Sequence, residues 1–141
     1  MFQGNRVVSQ NWQRAIFEGL GNAPATMDAS RAADCYGSAP GHTIEMADAE
    51  QAYIQAELRG TPCWICRPPD QRPASWAKYR RPVGRLVKAL YGHPDSGTYW
   101  EAHCDTMVRK VGYMPVGEGW PSCYVRPALK LPLVLLTLIH I

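Results

Sequence analysis

Apolar side chains recur at helical spacing in two segments of this 141-residue chain, and start and stop signals delimit a further helix before them. The first predicted helix covers Met27–Tyr36, where Thr26 is a suitable N-cap and Gly37 a suitable stop. A second helix is predicted directly after Asp48, because four apolar residues fall at offsets 0, 3, 4 and 7 and so share one helix face. These residues are Ala49, Ala52, Tyr53 and Ala56.

The third predicted helix covers Trp100–Val111 and carries an apolar stripe that we expect to face a core. Thr98-x-x-Glu101 has the spacing of a capping box at its start, and Gly112 is suited to end it. The stripe consists of Trp100, Cys104, Met107, Val108 and Val111.

Strands are predicted where apolar residues alternate or run together. The N-terminal pattern is ambiguous and allows a strand at Arg6–Ser9, whereas "HTIEMAD" alternates enough for a strand that ends at Asp48. The C-terminal run Leu131–Ile141 is predicted to be a buried strand. It is shorter than the roughly 20 residues that a membrane helix needs, and Pro132 and His140 interrupt it.

Composition predicts many loops and an intracellular setting. Twelve prolines and twelve glycines favour short elements, and the stretch "RGTPCWICRPPDQRPASW", with four prolines, is predicted to be a surface connection. The N-terminus lacks the apolar core of a signal peptide, so the five cysteines are interpreted as reduced thiols of a cytoplasmic or nuclear protein. Lys and Arg exceed Asp and Glu by 15 to 12, which is compatible with nucleic acid but does not require it.

Basic and aromatic residues alternate between Trp76 and Tyr91. Such stretches follow phosphate backbones and stack on bases, although a charged run is more often simply a solvated face. The cations are Lys78, Arg80, Arg81, Arg85 and Lys88, and the aromatic residues are Trp76, Tyr79 and Tyr91.

Asp48 lies at the predicted strand-to-helix junction, where the helix dipole favours anionic groups. If its carboxylate holds Mg²⁺, the first helical turn would present backbone amides to a triphosphate. The Tyr53 ring would then lie beneath the sugar and leave no room for a 2′-hydroxyl. The alternatives are a helix cap for Asp48 and a core position for Tyr53.

Cys63-x-x-Cys66 is a weak metal motif, because structural zinc needs four ligands. The other candidate ligands, His93, His103 and Cys104, have no standard spacing. A thioredoxin-like role also fails, since "CWIC" does not open a helix after a strand.

Taken in order, these segments resemble the reverse transcriptase of copia-type LTR retrotransposons. "ADAEQAYIQAEL" matches that family's block x-D-x-x-x-A-F/Y-L-x-G-x-L at Asp48, Ala52, Tyr53 and Leu58. "RLVKALYGHPDSGTYW" matches the block L-K-K-A/S-L-Y-G-L-K-Q-A/S-P-x-x-W at Leu86, Lys88, Ala89, Leu90, Tyr91, Gly92 and Trp100. The later "PSCY" is similar to the family's S-D-P-C-L-Y.

The resemblance implies an α+β fold, a partial fingers–palm of a right-hand polymerase with an incomplete palm sheet. Asp48 would be the first catalytic aspartate and, with the backbone carbonyl of Ala49, would bind Mg²⁺. Gln51 and Ala52 would hold phosphate oxygens through their amides, and Tyr53 would be the gate that prefers deoxynucleotides. Tyr91 and Gly92 would line the nucleotide pocket, while Arg85 and Lys88 would contact the backbone of an RNA template and DNA primer.

The chain would then be a single partial reverse transcriptase domain, 1–141. Association with other protein products of the same element would be compatible with this interpretation. Its parts would be a fingers-like segment at 1–42, the first catalytic motif at 43–58, a Pro-rich basic connection at 59–84, the second motif and helix at 85–113, and a diverged or frame-shifted terminal strand at 114–141.

The chain departs from the family where Y-V-D-D is expected, because "LKLPLVLLTLIHI" contains no acid. Magnesium prefers several oxygen ligands, so the isolated chain is expected to polymerise nothing. One alternative is a non-catalytic nucleic-acid-binding remnant that uses the 78–88 stretch, with Arg80 and Arg81 as its central cations. Another is a small zinc-bound interaction module around Cys63 and Cys66.

Overall fold

The structure, a computed structural model, describes residues 8, 11–13 and 24–135. The helices are α1 Met27–Gly37, α2 Ala52–Gln55 and α3 Ser96–Lys110. The strands are β1 Trp64–Cys66, β2 Val83–Arg85, β3 Met114–Pro115, β4 Cys123–Arg126 and β5 Leu131–Val134. Short 3₁₀ turns lie at Pro69–Gln71, Ala74–Trp76 and Pro127–Leu129.

The described residues divide into two compact units. The first, here called the basic unit, contains 51–100 and the described residues of the N-terminal segment. The second, here called the helix–sheet unit, contains 24–50 and 101–135. The described residues combine helix and sheet, and the α+β polymerase architecture stays a prediction.

The basic unit is organised by one extended segment, residues 83–89, here called the basic strand. Its first part is β2, which pairs antiparallel with β1 so that Trp64 lies opposite Arg85 and Ile65 opposite Gly84. The pairing then moves to the 56–58 segment, where Leu58 N–H donates to Val87 O and Ala89 N–H donates to Ala56 O. Residues far apart in sequence are thereby held by backbone hydrogen bonds to a single strand.

The core of the basic unit is small. Tyr53, Ala56 and Ala89 are buried, and Tyr99 and Trp100 pack against them. The buried Ser96 hydroxyl donates to Leu90 O at 2.7 Å and accepts Leu90 N–H at 3.0 Å, so it closes the turn that leads into α3. One side chain thus bonds both backbone groups of Leu90, whose carbonyl also accepts the His93 N–H at 3.0 Å.

The helix–sheet unit places α1 against an antiparallel sheet of order β3–β4–β5. The Tyr36 hydroxyl donates to Lys130 O at 3.1 Å and ties the end of α1 to the start of β5. The Asp105 carboxylate of α3 accepts bonds from Arg109 Nε at 2.8 Å and from the Tyr124 hydroxyl of β4 at 2.9 Å. The Arg109 hydrogen bond lowers the pKa of Asp105, while burial and the bond to Asp105 raise the pKa of Tyr124 to about 12.

The first predicted helix is confirmed. Thr26 Oγ1 accepts Ala29 N–H at 3.1 Å, as an N-cap does, and α1 ends at Gly37, one residue beyond the predicted end. The third helix is also present, and Gly112 follows it with a positive φ of 92°.

The capping box predicted for the third helix is wrong, because α3 begins at Ser96 and Thr98 lies inside it. Tyr99 N–H donates to Asp95 O, so the helical bonds already start in the turn that Ser96 closes. The stripe predicted to face a core is only half-buried, since Met107 and Val111 are about half exposed.

The strand predicted to end at Asp48 is absent, since residues 42–49 form neither helix nor strand and are exposed. No described strand pairs with them, and Met46 is 92 % exposed. A lone strand has no partner for its backbone groups, which explains the failure of this prediction. The second predicted helix shrinks to α2, because Gln51 adopts the left-handed conformation and 56–58 is drawn into pairing with the basic strand.

Two further predictions fall partly or wholly outside the described residues. Of the strand allowed at Arg6–Ser9, the structure describes Val8 alone. Of the apolar C-terminal run, it describes the first part, which contains β5. The Pro-rich connection is largely exposed as predicted, yet it contains β1. Of the helices that the structure describes, none has the length and apolar character needed to cross a bilayer.

Candidate functional site

The structure brings together two of the residues predicted to contact a nucleotide. The rings of Tyr53 and Tyr91 lie 4.5 Å apart between centroids, at an angle of 55°. Tyr53 is only 8 % exposed, whereas Tyr91 is 56 % exposed. Burial is the main cause that raises the pKa of Tyr53, and the neighbouring Tyr91 adds to it. Tyr53 is therefore a packed core ring in this structure, with Tyr91 at its exposed side.

The remaining predicted nucleotide-site residues are divided between the two units. Gln51, Ala52 and Gly92 belong to the basic unit, whereas Asp48 and Ala49 belong to the helix–sheet unit. Asp48 is exposed and lies in the irregular 42–49 segment.

The described residues do not fit a magnesium centre. They contain no group of three or more His, Cys, Asp or Glu side chains that could hold a metal ion. Magnesium is normally held by several oxygen ligands, and a single exposed carboxylate at Asp48 does not supply them.

Cys63 pairs with His93, whereas Cys66 bonds elsewhere. Cys63 Sγ lies 3.3 Å from His93 Nε2, and His93 Nδ1 accepts the Asp95 backbone N–H at 3.2 Å. The bond to Nδ1 assigns the ring proton to Nε2, which therefore donates to the sulfur. Cys66 Sγ is exposed and accepts a bond from Arg72 Nη2 at 3.7 Å instead.

The electrostatics of this pair oppose nucleophilic chemistry. Burial is the main cause that raises the pKa of the Cys63 thiol, and the charge of Asp95 raises it further. Burial also lowers the pKa of His93, and it outweighs Asp95, which acts in the opposite direction. Both groups are thus neutral at neutral pH, and His93 Nε2 has no lone pair to take a proton from the thiol. A ligand role for Nε2 would also need the opposite tautomer. The pair is best described as a structural link between the 61–63 loop and the 91–95 turn.

The lowered pKa of His93 predicts that the basic unit loses stability in mild acid. In the unfolded chain His93 has a pKa of about 6.5, which is higher than its pKa in the folded protein. The contribution of neutral His93 to stability is therefore fully present above about pH 6.5 and is lost as the pH falls below it. Thermal unfolding between pH 7.5 and 5.0 should show this loss, and His93→Gln should flatten it. His42→Gln, at an exposed histidine, is the matched control and should keep the full dependence. An equal slope in all three proteins would contradict the prediction.

Positive charge is concentrated in the basic unit. Residues 51–100 contain eight Lys or Arg against three Asp or Glu, whereas the rest of the chain contains seven against nine. The chain's modest net charge of +3 therefore hides a strongly basic half. Such a local excess is the electrostatic footprint of a polyanion-binding surface.

The central cations of this half are available for binding. Arg80, Arg81 and Arg85 are exposed, and their side chains form no hydrogen bond or ion pair with any other residue that the structure describes. Lys88 is also exposed, although its Nζ donates to Gln55 O at 3.2 Å. Lys78 Nζ lies over the Tyr79 ring, 5.1 Å from its centroid.

The β1–β2 ribbon has one packed and one open face. On the packed side, a Cβ at Gly84 would come within 3.3 Å of the Trp76 ring, so that ring supports the ribbon closely. On the open side, Trp64 is 60 % exposed and lies directly opposite the exposed Arg85. Arg85 also borders a groove of about 260 Å³, whose lining residues are Glu57, Leu58, Arg85, Leu86 and Val87.

Trp64 was not among the predicted site residues, because the prolines around it indicated a loop. The apolar triplet Trp-Ile-Cys between them has the residue types that favour strands, and this was the available signal. The larger cavity, of about 470 Å³, lies in the helix–sheet unit between α1 and the sheet, and none of the predicted site residues lines it.

Comparison of the chain with protein-family models, with curated proteins and with solved structures finds no match. The resemblance to copia-type reverse transcriptase therefore stays a prediction from the motifs.

Proposed function

We propose that this chain binds nucleic acid through the exposed cations of its basic unit, as a fragment derived from a copia-type RNA-directed DNA polymerase. The observation that carries the proposal is the set of unpaired guanidinium groups at Arg80, Arg81 and Arg85, on a half of the described chain with few acids. When exposed cations without protein partners neutralise phosphates, the counterions condensed on the nucleic acid are released, which favours binding.

The polymerase origin rests on the two ordered motifs around Asp48 and Tyr91. This origin implies a template–primer and deoxynucleoside triphosphates as partners, and Mg²⁺ as the cofactor. Nucleotidyl transfer is not proposed for the chain by itself, because a two-metal centre needs acids beyond Asp48. Other products of the same element are the proposed source of such acids.

Replacing Arg80 and Arg81 with glutamine should weaken binding to a short RNA or DNA strand by about tenfold at low salt, independently of base sequence. For a single strand, the slope of log K against log salt should become shallower by about 0.7 for each phosphate that is no longer neutralised. Fluorescence anisotropy over a salt series measures both quantities. The matched control is Arg31→Gln with Lys110→Gln, which removes the same charge from exposed positions of the helix–sheet unit.

Equal losses of affinity in the two double variants would mean that net charge alone attracts the strand, and the proposed surface would be wrong. The same preparation, given a primed RNA template, triphosphates and magnesium, should leave the primer unextended. Extension that disappears in Asp48→Asn would instead establish polymerase activity in this chain.

A further inference from the structure

Trp64 is held in place but uncovered. Its backbone belongs to β1, whose register with β2 is fixed by three residue pairs, and the ribbon rests on Trp76 through Gly84. Its own side chain is nevertheless 60 % exposed. A large ring on a supported strand loses little conformational freedom when it binds a ligand, which favours its use as a binding surface.

The surroundings of Trp64 are cationic. Arg85 is its cross-strand partner, and directly opposed residues of an antiparallel pair project from the same face. The burial pattern agrees, because Trp64, Cys66, Val83 and Arg85 are exposed while Ile65 and Gly84 between them are partly covered. The face thus offers one aromatic plane with a guanidinium beside it.

An aromatic plane next to a cation matches a base together with its phosphate. Bases stack on aromatic rings whatever their sequence, and the adjacent cation attracts the backbone. In a duplex the base faces are already stacked on each other, so only an unpaired base can use such a ring.

We propose that Trp64 and Arg85 form a stacking site that makes the basic unit prefer single-stranded nucleic acid over duplex. This inference rests on the proposed nucleic-acid binding and adds the class of strand that is bound. Among the residues that line the adjoining groove, Glu57 is the one acid, and Arg85 lies in the same lining to balance its charge.

The test compares three probes of equal length: oligothymidine, an abasic strand with the same phosphates, and a duplex. Trp64→Ala should weaken binding of oligothymidine by about tenfold and leave binding of the abasic strand and the duplex unchanged. Trp64→Phe, which keeps a ring, should restore most of the affinity. Trp120→Ala, at an exposed tryptophan of the helix–sheet unit, should change nothing.

Two outcomes overturn the stacking site and leave the proposed function intact. One is salt-dependent binding that Trp64→Ala does not alter, and the other is an equal loss of affinity for oligothymidine and for the abasic strand. Absence of salt-dependent binding to every probe would instead refute the proposed function itself. Thermal unfolding of Trp64→Ala and Trp64→Phe shows whether each variant keeps its fold, so that unfolding is not mistaken for weaker stacking.

Discussion

Replacing Tyr53 with alanine is expected to lower the free energy of unfolding of the basic unit by about 3–4 kcal/mol. The ring is 8 % exposed and packs with Ala56 and Ala89, two small residues that cannot fill the space it leaves. Hydrogen exchange at the Ala89 amide, which donates to Ala56 O beside this ring, reports the stability of this part of the molecule.

Two further substitutions, one at Tyr53 and one at an exposed control tyrosine, separate packing from chemistry. Tyr53→Phe should change the stability by less than about 1 kcal/mol, because the hydroxyl forms no hydrogen bond with the residues that the structure describes. Tyr79→Ala removes a ring that is 56 % exposed and should be nearly neutral. If Tyr53→Ala were also neutral, the ring would be free, and the predicted role as a sugar gate would gain support.

Ser96→Ala should cost about 2 kcal/mol, the next largest effect. The buried hydroxyl accepts the Leu90 N–H, so its removal leaves that donor without its partner. The Leu90 carbonyl loses one of two bonds, since it also accepts the His93 N–H at 3.0 Å. Chemical denaturation followed by near-ultraviolet circular dichroism of the surrounding tyrosine and tryptophan rings measures the change.

Ser38→Ala is the matched control for Ser96. Its hydroxyl donates to Asp34 O at 2.7 Å, but the residue is exposed and water can replace the bond. The loss of stability there should stay below about 0.5 kcal/mol. Equal losses at the two serines would show that burial does not set the cost at Ser96.

Elements fixed by local sequence could be predicted, and those that depend on distant partners could not. The first helix followed from its cap at Thr26 and its stop at Gly37, and its capping hydrogen bond is present. The strand before Asp48 failed because alternation alone does not provide a pairing partner. The second helix was cut short because the 56–58 segment pairs with the basic strand. The bridge between Glu57 and Lys88 joins residues far apart in sequence, and a local pattern cannot predict such a contact.

The same distinction applies to the candidate site. The cations, Tyr53 and Tyr91 were each named from motifs, and the structure brings the two tyrosine rings together. Burial of Tyr53 could not be predicted, because it depends on Ala89 arriving from the basic strand. Trp64 was missed for the same reason, since its exposure on a strand exists only through pairing with β2.

The basic strand also bears on how the protein behaves in concentrated solution. Within the described part of the chain, β1 pairs with no strand other than β2, so its outer edge is one that another chain could pair with. The basic strand already pairs with the 56–58 segment at residues 87–89. We expect Arg85 in this ribbon and Lys88 after it to oppose such pairing, because their like charges repel a second copy. Variants that lose these cations should therefore self-associate more readily, and a bound polyanion that neutralises them should have the same effect.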